Sequence, residues 1–150
     1  MTYNNIKGFK RCYGGMNMQE PDSKKQQTEA QLFDEWVKKF FLDPHTQILD
    51  DETFFIDIYE SDDEYFIEAA LENYKTEDLS VRLQHDALTI SVRDKSSSAK
   101  QGHPNIIERV IHFPFSLYHH QIRAEYAYSL LTIRIHKFHT CPIQTIIKIE

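Results

Sequence analysis

Histidines, cysteines, serines and carboxylates are the residues of this 150-residue chain that could do chemistry. The tightest grouping is His136-x-x-His139, with Cys141 close behind it. Such a set could ligate zinc if its deprotonated donors converged at ~2.0–2.3 Å on one ion. On a strand, however, positions 136 and 139 face opposite sides. The adjacent His119 and His120 diverge in the same way. Both pairs therefore read as solvated turn and tail histidines, and no metal site is expected. Ser96-Ser97-Ser98 lies outside any Gly-x-Ser-x-Gly elbow. No glycine-rich loop is present to cradle a phosphate. Asp62-Asp63-Glu64 lacks the spaced oxygen ligands of a calcium loop and reads as a solvated turn. No nucleophile–base or metal constellation emerges. The chain is expected to have no catalytic activity and to need no cofactor.

Composition agrees with a binding or structural role. The hydrophobic fraction is 41%, ordinary for a globular chain, and the formal net charge is −6. Lys and Arg are scattered among Asp and Glu and form no basic stripe, so nucleic acid is not an expected partner. Aromatics reach 13%, which favours strands and self-association surfaces. Two cysteines, Cys12 and Cys141, make no disulfide framework. The start MTYNNIKGFKR has no apolar core of a signal peptide, and no apolar run approaches the ~20 residues that span a bilayer. A protein made and kept inside a cell, without a membrane partner, is expected.

The elements follow from periodicity. Residues 1–27 hold three of the four glycines and the polar run EPDSKKQQ, and read as a flexible arm. Residues 28–44 read as an amphipathic helix and its stop. Thr28 with Gln31 has capping-box spacing. Leu32, Phe33, Trp36, Val37, Phe40 and Phe41 form one apolar stripe at the helical period. Asp43-Pro44 is expected to end the helix. That stripe could pack on its own domain or on another polypeptide. From Phe54 the period becomes 2. Apolar residues alternate through Phe54–Ile58, Tyr65–Leu71, Leu79–Leu83, Leu88–Val92, Ile107–Phe113, Ile122–Tyr126 and Leu131–Ile135. Seven or so short strands with tight turns imply an all-β, immunoglobulin-like antiparallel sandwich over residues 54–136. Residues 137–150 form a C-terminal extension ending in Ile147-Lys148-Ile149.

These segments resemble a known family. IDIYESDDEYFIEAAL is similar to the opening strand pair of the α-crystallin domain of small heat shock proteins, with its D-I-Y-E-T and Y-x-x-E-A-x-L patterns. KTEDLSVRLQHDALTISV is similar to the K-x-E-D-I-x-V … L-T-I segment. The stretch from Arg109 to Ile135 resembles the C-terminal half, with I-x-A-x-Y … L-T-V, and Ile147-Lys148-Ile149 resembles the terminal I-x-I/V motif. The likeness covers about residues 54–150. Some positions depart from it. Leu71-Glu72-Asn73 stands for the L-P-G turn, and Ser129 takes the place of a turn glycine. The G-x-F before the family arginine is absent. The loop after Val92 is short for a bacterial member. In many such members it carries a strand swapped into the dimer partner, so the dimer geometry stays open. FDEWVKKFFLDP followed by DDETFFIDIYE is further similar to the spore-coat branch of the family in Bacillus.

The resemblance implies sites. The two isoleucines of I-x-I insert into a groove on a neighbouring domain, here lined by Val81 and Leu83 on one side and Ile122 and Ala124 on the other. Ile147 and Ile149 point the same way in an extended chain, with Lys148 turned to water. Ile143 and Ile146 offer an adjacent register. Arg109 matches the family arginine, which lies at the dimer interface and pairs with carboxylates; an exposed strand arginine is the alternative. Two functions of different class stay open. One is a self-assembling structural component of a bacterial spore coat, made in the mother-cell cytoplasm, whose partners are itself and other coat proteins. The other is an ATP-independent holdase that binds unfolding proteins. Both use apolar surface to hold polypeptide.

Overall fold

A computed structural model describes residues 27–94, 105–139 and 145–150 of the chain. The expected N-terminal arm, the Ser96–Ser98 run, Cys12, Cys141 and Ile143 therefore lie outside the described residues.

Thr28 opens helix α1 (Glu29–Leu42) as its N-cap. Its hydroxyl accepts the Gln31 N–H at 3.1 Å, and its own N–H donates to the Gln31 side chain at 3.0 Å. Two otherwise orphaned donors are thus satisfied reciprocally. Asp43-Pro44 ends α1, as expected, but it also begins a second helix, α2 (Pro44–Glu52). Asp43 caps that helix by accepting the His45 N–H at 2.9 Å. Proline at the first helical position is pre-organised there and loses no needed donor. The sequence PHTQILDDE hid this helix because it carries no apolar stripe.

The seven alternating runs become β1 (Ile56–Glu60), β2 (Glu64–Ala70), β3 (Leu79–Gln84), β4 (Ala87–Asp94), β5 (Asn105–His112), β6 (His120–Ala127) and β7 (Leu130–His139). A short β8 (Ile146–Ile147) follows. One sheet has the order β1-β2-β7-β6 and the other β5-β4-β3-β8, and every pairing is antiparallel. Registers such as Ile58↔Ile67↔Ile133 put like faces side by side. The inward set includes Ile56, Ile67, Val81, Leu88, Ile90, Val92, Leu131, Ile133 and Ile135, all fully buried. Each such side chain is worth ~1.5–3 kcal/mol of transfer free energy. The aromatic stripe of α1 packs against this core. Phe33 stacks on Tyr65 with ring centroids 4.3 Å apart, and Trp36 lies 4.6 Å from Phe113.

Two features of the fold are held by polar or strained groups. Arg109 on β5 points between the sheets and is only 2% exposed. Its guanidinium donates to Asp50 on α2 at 2.8 Å and to the Phe54 carbonyl at 2.7 Å. The newly found helix thus carries the carboxylate that neutralises a buried cation. The β6–β7 hairpin turns on Tyr128 and Ser129, both at positive φ (53° and 65°). That pair is the signature of the mirror-image turn that suits strand twist and that normally takes Asn-Gly. Asn73 (φ 69°) fills the equivalent need after Leu71, where asparagine tolerates the left-handed region better than most residues.

Asp50→Ala should destabilise the chain by about 3 kcal/mol, because it strands a buried guanidinium, whereas Arg109→Met should cost clearly less. Denaturant unfolding of both variants checks this, and equal losses would contradict it. Ser129→Gly should raise stability by about 0.5–1 kcal/mol by relieving the left-handed strain. A lowered unfolding midpoint for that variant would count against the turn assignment.

Candidate functional site

The open side of the sandwich is where the expected groove lies. Apart from the tail strand β8, β3 and β6 are the lateral strands of the two sheets on that side. Without the tail their outer backbone groups would have no sheet strand to pair with, and such groups need partners. The C-terminal tail supplies them. It runs antiparallel to β3, with Ile147 opposite Val81 and Ile146 opposite Arg82. The Leu83 N–H donates to the Thr145 carbonyl at 2.7 Å. Two residues further, the tail runs parallel to β6, with Ile149 bridging to Ala124. There the Glu150 N–H donates to the Ala124 carbonyl at 2.9 Å, and the Tyr126 N–H donates to the Glu150 carbonyl at 3.0 Å.

Side chains follow the two-residue alternation. Ile147 is 3% exposed and Ile149 is half-buried against the core, while Lys148 faces solvent. Val81, Leu83, Ile122 and Ala124 are all buried with the tail in place. Ile146, the candidate for an adjacent register, is 74% exposed. The groove and the tail are therefore brought together within one chain, whereas the resemblance pictured the tail in a neighbour's groove.

The other residues singled out from the sequence are placed as follows. Arg109 is buried and paired with Asp50 of the same chain, so the alternative of an exposed strand arginine does not hold. Of the aromatic stripe, Phe33 is buried, and Trp36, Val37 and Phe40 pack partly buried on the core. Leu32 is half-buried and Phe41 is exposed. Asp62 and Asp63 sit in the exposed β1–β2 turn. Among the described residues, no group of three or more His, Cys, Asp or Glu is placed to hold a metal ion.

His120 corrects the expectation of solvated histidines. It is 1% exposed, at the start of β6, beneath the first turn of α1. Its Nδ1 lies 2.7 Å from the His136 carbonyl and its Nε2 lies 3.1 Å from Oε1 of Glu29. The other oxygen of Glu29 accepts the Tyr65 hydroxyl at 2.8 Å. Burial pulls His120 toward its neutral form. The hydrogen bonds to Glu29 and the His136 carbonyl, with the charge of Glu29, outweigh that pull and leave its pKa raised. Burial, then the bond to Glu29, pushes the Tyr65 hydroxyl far up. No local signal marks this cluster, because its members stand far apart in the chain and meet only when α1 folds back on the sheet.

Comparison with known proteins completes the site. Residues 57–150 match the model of the Hsp20/alpha crystallin family. Over 104 residues the chain is 29% identical to spore coat protein M of Bacillus subtilis (strain 168), covering 69% of this chain and 72% of that protein. Similar solved structures include the Del-C4 mutant of hsp14.1 from Sulfolobus solfatataricus P2, at 30% identity and a TM-score of 0.44, covering 54% of this chain and 72% of that one. A small heat-shock protein from Xylella fastidiosa is 20% identical with a TM-score of 0.45, covering 60% of this chain and 91% of that one. No helix among the described residues is long and apolar enough to cross a membrane. With its family match running from the first strand through the terminal Ile-x-Ile, the chain belongs to the Hsp20/alpha crystallin family.

Proposed function

We propose that this chain is a non-enzymatic, self-assembling structural component of a bacterial spore coat. The observation that carries the reading is the likeness to spore coat protein M over more than two thirds of the chain. The tail supports a way of assembling. Its contacts with β3 and β6 are main-chain hydrogen bonds and two isoleucine side chains, and they are blind to which copy supplies the tail. A tail released from its own groove can fill that of a neighbour, and a second copy is then held by several kcal/mol before ordering costs. Arg109 has a further place in this scheme. Loosening α2 would free it to meet a carboxylate of a second copy, as the family resemblance implies. The partners are other copies and other coat proteins, and the site of action is the mother-cell cytoplasm followed by the coat.

A second reading, an ATP-independent holdase, draws on one observation. Phe41, Leu42, Ile48 and Phe55, in and just after the two helices, are exposed large apolar side chains. Such surface is the kind that takes hold of unfolding polypeptide.

Replacing Ile147 and Ile149 together by alanine should shrink the particle measured by light scattering in concentrated solution, near the millimolar scale at which copies exchange tails, while far-ultraviolet circular dichroism keeps its β signature. An unchanged particle size would remove the anchor. Expression decides between the two functions. Appearance confined to the sporulating mother cell supports the coat reading, and induction by heat with suppressed aggregation of a heat-labile enzyme supports the holdase.

A further inference from the structure

The first turn of α1 is tied to the sandwich by a polar cluster that the assembly scheme does not use. Glu29 is the first residue of the helix, and its two oxygens reach His120 on β6 and Tyr65 on β2. On the far side of the ring, Nδ1 of His120 faces the His136 carbonyl of β7. A carbonyl oxygen only accepts, so Nδ1 must carry a proton. Nε2 faces a carboxylate, and that contact is attractive only if a second proton lies between them. The cluster therefore closes with one proton shared by His120 and Glu29, whichever of the two holds it. When that proton leaves to solvent, a bare Nε2 lone pair on a ring only 1% exposed faces a carboxylate that is 29% exposed, and the contact turns repulsive.

The helix held this way carries the apolar face of the chain. Phe33, one turn after Glu29, stacks on the same Tyr65 that binds Glu29. Trp36 and Phe40 continue the face, with Trp36 on Phe113. Opening the first turn lifts this stripe from the core.

We propose that Glu29, His120 and Tyr65 form a proton-dependent latch that keeps the aromatic face of α1 docked at mildly acidic pH and releases it as the medium turns alkaline. The proposal deepens the second, holdase reading above and rests on it in one respect: exposed apolar surface is what that reading uses to hold other polypeptide.

Among the described residues, these charges and rings lie nearby. Lys137 on β7 sits 5.2 Å over the Tyr65 ring and pairs with Glu60 of β1 at 2.8 Å. These two largely neutralise each other. The rings of Phe115 and Tyr65 flank His120 at 5.9 and 6.5 Å, and its register partner on β7 is His139. Glu29 is thus the anion that sets the behaviour of His120. The sign follows from the raised pKa of His120 in the folded chain. The extra stability is fully present below the unfolded histidine value of about 6.5 and is lost as pH rises through the folded value. Each unit by which the folded value exceeds the unfolded one changes the docking equilibrium roughly tenfold.

The chain has a single tryptophan, Trp36, inside the latched face. Its quenching by acrylamide is measured on the isolated full chain, without other coat proteins or clients, from about pH 5.5 to about pH 9, a range that brackets histidine titration. Trp36 should be protected at the acid end and become accessible in one step, at the pH where the His120 ring resonances titrate. In Glu29→Gln the carboxamide can donate to a neutral Nε2 and still accept from Tyr65, so Trp36 should stay protected throughout. In His136→Asn, which keeps the backbone carbonyl, the step should persist. A flat profile in the wild-type chain, an unaltered step in Glu29→Gln, or a His120 titration below that of the exposed histidines would overturn the latch. Because no assembly or client is present, such a result would leave the coat and holdase readings standing. Should Glu29→Gln fail to fold, the wild-type profile and the His120 titration still decide the matter.

Discussion

The backbone of two lateral strands governs this structure. Sheets must end somewhere, and an end leaves amide and carbonyl groups that water or another strand must satisfy. Here, apart from the tail, both sheets end on the same side, at β3 and β6, and one short extended peptide meets both. Its isoleucines enter the space between the layers while its main chain pairs outward to each sheet in turn. The lining of the groove and the seat of the tail are consequences of that one seam.

The two helices are attached by a different force. Each is tied to the sandwich by a carboxylate that meets a buried basic group, Glu29 with His120 and Asp50 with Arg109. Pairs of this sort add little net stability compared with apolar packing, but they are intolerant of losing one member. They fix where the helices sit and make that placement conditional on charge. The aromatic stacking of Phe33 and Trp36 supplies attraction. The carboxylates supply position.

What was legible in the sequence follows from the range of the forces involved. The β-strands were readable because burial on one face imposes a period of two on consecutive residues. The α1 start was readable because Thr28 and Gln31 satisfy each other within one turn. Helix α2 was not, since its residues need only Asp43 as a cap and Pro44 as a first residue, and Asp-Pro reads equally well as an end. The tail and its groove were legible only through resemblance to a family, because nothing local links Ile147 to Val81. The Glu29–His120 contact was missed because adjacency to His119 in a polar stretch suggests exposure. Only the return of α1 over the start of β6 removes His120 from water. The residues in left-handed backbone show a similar limit. Asn73 and Ser129 were visible as replacements for expected glycines, yet the sequence could not tell whether the turns had changed or the strain had been accepted. At Ser129 the strain was accepted.

Under the proposed exchange, a tail that occupies its own groove and enters a neighbour's is subject to a simple competition. Only five residues, 140–144, lie between β7 and the tail, so the tail's effective concentration at its own groove is set by the short connection, on the scale of about millimolar. Dilute chains then satisfy themselves and stay small. Exchange between copies prevails only where the local density of chains rivals that value, as on a surface where protein is being deposited. Assembly governed this way needs no ligand or modification as a trigger. It is a response to crowding, reversible until neighbouring contacts multiply, and it lets the same seam protect a solitary molecule and knit a layer.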